Sequence, residues 1–179
     1  MVDPVTARLW SYRALFVVLV AVIAVGRLMP VDAGSTGLPG PDLLLALTFA
    51  WVLRRPAYVP AWLVVALFLP LDLIFHQPPG LGALTVLVAT EVLRGRKELS
   101  AGLPFTIEWA LVAVALVATA GALQILMGLF LVPRPPLGLE LLRALLTAAI
   151  YPVVVAVSAH GFGVRKATPG EVDALGARL

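Results

Sequence analysis

Six apolar runs, separated by short breaks rich in proline and arginine, dominate this sequence. They fall at about residues 14–29, 42–53, 57–75, 80–93, 107–132 and 139–162. Such runs must keep their side chains out of water, and in the absence of water their backbone N–H and C=O groups must pair internally. The runs are continuously apolar and lack the period of two that marks a lipid-facing barrel strand. Helices in a bilayer meet both demands, since about 20 residues rising about 1.5 Å each cover a hydrocarbon layer about 30 Å thick. The predicted fold class is all-α: a polytopic membrane protein with six transmembrane helices, the second and fourth short.

Composition points the same way. Hydrophobic residues make up 61% of the 179 and charged residues 13%, with a mean hydropathy of +1.02. Soluble domains hold about 45–50% apolar and about 25% charged residues, and they cannot bury this much apolar surface. The expected organisation is one six-helix transmembrane domain over residues 1–163 and a short polar cytoplasmic tail over 164–179. Arg27 and Pro30 interrupt the region where a signal peptidase would need small residues, so the first run is read as an uncleaved anchor. There are no cysteines, which excludes disulfides, thiolate catalysis and cysteine-based metal sites.

The breaks carry the topology. Pro30 to Pro41, Arg54-Arg55-Pro56, Gln77-Pro78-Pro79-Gly80, the polar stretch from Arg94 to Pro104, and Pro133-Arg134-Pro135-Pro136 all stop helices, because proline has no N–H to continue one. With the N-terminus inside and six full crossings, most of the 13 basic residues fall on the inner side. These are Arg8 and Arg13, then Arg54 and Arg55, then Arg94, Arg96 and Lys97, and finally Arg165, Lys166 and Arg178. Arg27, Arg134 and Arg143 remain at the outer helix ends. The positive-inside bias places both termini in the cytoplasm, and it favours true crossings by the short second and fourth runs over re-entrant pieces. The net charge of +3 is dispersed in small groups rather than gathered in a stripe, which excludes a nucleic-acid partner.

Few residues can carry chemistry. Asp72 lies in the outer part of the third run, where a carboxylate must face protein or water. His76 follows four residues later, so a continuous helix would put both on one face. The pair has two readings, a proton or ligand site and a structural pairing at the helix end. Arg27, Arg143 and Glu140 stand near the outer ends with Asp32 and Asp42. They form an ion-pair cluster in one reading and an arginine-lined pocket for a phosphorylated lipid head group in the other. Glu91 can pair with Arg94, and Glu108 suits a helix N-terminus. Trp10, Trp51, Trp62, Trp109, Tyr12 and Tyr58 near the run ends read as an interfacial belt. No nucleophile–base arrangement, phosphate loop, dinucleotide fingerprint or metal-ligand spacing is present. No catalytic, cofactor-binding or metal residue is therefore assigned, and no cofactor is expected.

The order and spacing of several short signals carry a resemblance over nearly the whole chain. These are Pro41-Asp42-Leu43-Leu44, Arg55-Pro56, Pro60, Trp62, Leu71-Asp72-Leu73, Pro79-Gly80-Leu81-Gly82-Ala83-Leu84 and Tyr151-Pro152. In these the chain resembles the rod shape-determining protein MreD family, with Pro70 a departure from the pattern. The resemblance implies a fold similar to the substrate-binding subunits of energy-coupling-factor transporters. It also implies a non-enzymatic scaffold in the bacterial inner membrane, supporting rod shape and lateral peptidoglycan synthesis. MreC would be its direct partner, with MreB and the wall-synthesis glycosyltransferase and transpeptidase in the same assembly. The loops with Arg54, Arg55, Arg94, Arg96 and Lys97 would then meet cytoplasmic partners or anionic lipid. Two other functions remain open: a substrate-binding subunit of a vitamin transporter, or a lipid-intermediate-binding membrane protein. Either would use an outer pocket near Asp72, His76, Arg27 and Arg143.

Overall fold

A computed structural model of the chain describes residues 4–29, 39–96 and 104–166. Asp32, Lys97 and Arg178 lie outside the described residues. Those residues form six α-helices, which are α1 (Pro4–Leu28), α2 (Leu43–Arg54), α3 (Ala61–Ile74), α4 (Leu81–Gly95), α5 (Phe105–Leu129) and α6 (Leu137–Gly161). A single 3-10 turn, Pro56–Tyr58, joins α2 to α3. The all-helical expectation holds. Three helices, at Thr6–Leu28, Phe105–Leu129 and Leu137–Gly161, are long and apolar enough to cross a membrane.

The boundaries differ from the sequence reading in two places. The first helix begins at Pro4, ten residues ahead of the apolar run, and carries Arg8 and Arg13 on its first turns. The third helix is also short, at 14 residues. Pro56 and Pro60 bracket the 3-10 turn, and Pro60 caps α3 with an extended backbone. Neither proline can donate to a continuing helix, so residues 57–60 stay out of α3.

Helix α2 is the axis of the bundle. Leu44 and every residue from Ala46 to Leu53 are buried, and a helix apolar all round is one meant for an interior. It packs on α1, α4, α6 and the 3-10 turn, while α3 pairs with α4, α4 with α5 and α5 with α6. The packing therefore forms two four-helix groups, α1–α2–α4–α3 and α2–α4–α5–α6, that share α2 and α4. Phe16 and Trp51 meet at 5.4 Å between ring centroids at the heart of the first group. Trp51 is fully buried, and its indole N–H donates to Ser158 Oγ at 3.2 Å. It is thus not part of an interfacial belt, because its helix is enclosed on all sides.

The last helix shows how a helical proline is accommodated. Pro152 has no N–H for the carbonyl four residues back, that of Ala148. The indole N–H of Trp109 on α5 takes that carbonyl at 2.7 Å. One proline thereby fixes α6 against α5.

Candidate functional site

The helices alternate in direction, so each end of the bundle gathers starts and finishes in turn. At one end, called here the basic end, meet the first turns of α1, α3 and α5 and the last turns of α2, α4 and α6. Glu108 on α5 is buried there, 2% exposed. Its carboxylate accepts a hydrogen bond from Tyr151 OH at 3.0 Å. Arg54 Nη2 lies 3.3 Å from Oε1 and Lys166 Nζ 3.5 Å from Oε2. Arg55 Nε donates to the Arg165 carbonyl. Gly163 takes a positive φ, and Val164 beyond it is fully buried. The segment 162–166, whose residues 164–166 the sequence reading places in a polar tail, therefore folds back as a strap over the bundle. The remaining tail lies outside the described residues.

The arginines of this end face inward more than the sequence reading has them. Arg54 is almost enclosed, and its Nε is buried without a partner. Arg94 donates to the Val59 carbonyl at 2.6 Å and sits 3.5 Å from Glu91. Arg13 donates through Nε and Nη2 to the Ala57 carbonyl, which ties α1 to the 3-10 turn. Arg96 is exposed. Of the residues expected to meet partners, then, Arg54 and Arg94 hold helices together, Arg55 ties the strap, Arg96 faces outward, and Lys97 is not described.

The opposite end holds a cavity of about 680 Å³, lined by residues of all six helices. It brings together Arg27, Asp72, His76 and Arg143, the four residues that sequence reasoning assigned to a common pocket. The volume falls in the roughly 300–1,000 Å³ range of small-molecule sites.

Asp72 is a structural member of this site. It is buried, and its Oδ2 accepts from the backbone N–H groups of Gly80 and Ala83, each at 3.0 Å. A carboxylate on the first turn of α4 satisfies donors that no helix bond can reach, and it complements the positive end of the helix dipole. Gly82 gives it room, because a Cβ there would overlap the carboxylate. The shared helix face with His76 does not form. Helix α3 ends at Ile74, and His76 turns back with φ 55°. Its N–H reaches Leu73 O while Gln77 N–H reaches Asp72 O at 2.7 Å, the paired bonds of a Schellman close with a non-glycine at its left-handed position. Leu131 closes α5 in the same way, with φ 54° and the bonds Leu131 N–H to Gly128 O and Val132 N–H to Met127 O.

The mouth carries two loose ion pairs. Arg27 Nη1 lies 3.4 Å from Asp42 Oδ2, and its guanidinium stacks 4.6 Å from the Phe75 ring centroid. Arg143 Nη1 lies 3.6 Å from Glu140 Oε1. Asp42 also caps α2 through Leu45 N–H, and its own N–H donates to Thr147 Oγ1. The expected cluster of Arg27, Arg143, Glu140 and Asp42 is thus present as two pairs. Among the described residues no group of three or more His, Asp or Glu is placed to hold a metal.

Sequence reasoning missed the Glu108 knot. The signal was available: Glu108 is the only acidic residue on a 25-residue apolar helix, and a carboxylate in that setting requires a cationic partner. The class these features define is an all-helical protein, consistent with a membrane protein, with one end closed and the other hollow. No protein-family model, curated protein or solved structure matches this chain.

Proposed function

We propose that this chain is an MreD-type scaffold. It crosses the bacterial inner membrane six times with both termini in the cytoplasm, and it is non-enzymatic. It binds MreC directly and, through it, stands in the cell-elongation machinery with MreB and the wall-synthesis glycosyltransferase and transpeptidase. The observation that carries most weight is the use made of the polar side chains. Asp72 caps α4, Glu108 joins α2, α5 and the strap, and Arg13 and Arg94 hold the carbonyls of the α2–α3 connection. Polar groups that lock a body together, under a largely apolar exterior such as Val22, Val114, Ile125 and Leu129, suit a protein that acts by position. The fold expected from the resemblance, similar to transporter substrate-binding subunits, belongs to the same proposal.

Gentle-detergent purification from native membranes, followed by mass spectrometry, tests this reading. Stoichiometric MreC is the expected result. An ATPase module or a bound vitamin in its place contradicts it.

The cavity favours a second reading, a ligand-binding membrane subunit. It gathers both arginines, Asp72 and His76 around a space of small-molecule size.

A further inference from the structure

The charges around the cavity narrow what it could hold. Asp72 is occupied by the N-terminus of α4, which leaves Arg27 with Asp42 and Arg143 with Glu140 at the mouth. The pairs meet at 3.4 and 3.6 Å, long beside the roughly 2.7–2.9 Å of a strong charge-assisted bond. Each guanidinium, with five donors in a planar fork, retains edges for a second acceptor. A plain anion would gain from the arginines but meet two carboxylates beside them. A plain cation would meet the reverse. A group bearing both charges can be received by the two mixed pairs without leaving either partner short.

Below the mouth the lining turns apolar. Phe68 and Leu116, at the middle of α3 and α5, form the deeper wall, with Val86 in the second turn of α4. The hydroxyls of Thr119 and Thr147 donate to their own helix carbonyls, at Ala115 and Arg143, so a ligand body beside them meets few free donors.

We infer that the cavity binds a zwitterionic head group on an apolar body, the head seated between the Arg27–Asp42 and Arg143–Glu140 pairs and the body against Phe68, Val86 and Leu116. This deepens the ligand-binding reading and is independent of the scaffold proposal. The same chemistry occurs in a membrane lipid with a phosphoethanolamine head and in a small free zwitterion that carries a short apolar chain.

The test is native mass spectrometry of the intact chain in a non-ionic detergent. Three probes of equal acyl length are titrated: zwitterionic lysophosphatidylethanolamine, anionic lysophosphatidylglycerol and neutral monoacylglycerol. The zwitterionic probe is expected to be retained preferentially. Ala120→Phe and, separately, Ala144→Phe, which fill the cavity, should abolish its retention. Glu140→Gln should weaken it by about tenfold, the loss of one charge-assisted contact. A soluble short-chain analogue, butanoyl-glycerophosphoethanolamine, whose phosphodiester keeps the head group zwitterionic, is then added as competitor. Displacement assigns the site to a free zwitterion, and no displacement assigns it to a lipid. Equal or tighter retention of the anionic or neutral probe overturns the zwitterion inference and leaves a ligand-binding cavity standing. Retention of none, or undiminished retention in both filled variants when each remains folded, overturns the cavity as a binding site.

Discussion

The two ends of this bundle use the same residue types to opposite effect. At the basic end Arg54 and Lys166 close on Glu108 inside the protein, with Tyr151 completing the carboxylate's bonds. At the cavity end Arg27 and Arg143 touch Asp42 and Glu140 at a partly exposed rim. An arginine–carboxylate pair is thus a bolt or a loose rim according to its burial. A buried pair cannot lose one partner without stranding the other, whereas an exposed pair can exchange partners with water or a ligand at little cost.

The largest effect should follow from breaking the bolt. Glu108→Ala leaves Arg54 enclosed without its counter-ion, and the loss should be about 3–5 kcal/mol. Thermal unfolding in a fixed detergent measures it. The double variant Glu108→Leu with Arg54→Met should recover most of that loss, because the enclosed guanidinium is gone and Lys166, a quarter exposed, can turn to water. A double variant as unstable as the single would show that the knot matters for its shape and not its charge.

Next in size is the Asp72 cap. Asp72→Ala should cost about 1–2 kcal/mol, as lost helix caps do. Gly82→Ala should cost a similar amount, since its Cβ would occupy the space of the carboxylate. The double variant should cost clearly less than the two added together, because both act on one contact. Strict additivity would separate Gly82 from Asp72.

A smaller effect of the other sign is expected at the rim. Leu131 is 92% exposed and holds a left-handed backbone that glycine adopts without strain. Leu131→Gly should raise stability by up to about 1 kcal/mol in the same unfolding measurement. The smallest change belongs to Arg27→Gln, at under about 1 kcal/mol, as for exposed ion pairs. A loss as large as that at Glu108 would erase the distinction between the ends.

Much of this architecture can be read in the sequence. The six runs became six helices because proline and arginine breaks leave few places for a helix to continue. Arg27, Asp72, His76 and Arg143 could be assigned to one end because alternation of direction follows from the breaks alone. What sequence could not provide was the direction in which side chains turn. Arg54 and Arg94 lie at helix ends that read as solvent-facing, yet both reach back into the bundle. Trp51 lies one turn from such an end and is fully enclosed, since only tertiary packing shows that α2 is central. The Asp72–His76 pairing failed because it assumed a helix that stops at Ile74. Tests of a cytoplasmic partner surface are accordingly better made at Arg96, since changes at Arg54 and Arg94 would also loosen the fold.

The claim on which the rest depends is that the two ends face opposite sides of a membrane. The chain has no cysteine, so single cysteines report cleanly. Gln77→Cys and Arg96→Cys flank α4, and both positions are exposed. With a membrane-impermeant maleimide on intact cells, the Gln77 site should label at once and the Arg96 site only after lysis. Labelling of both from the same side would contradict the account, because α4 would then not cross and the cavity and the basic end would not be separated by the bilayer.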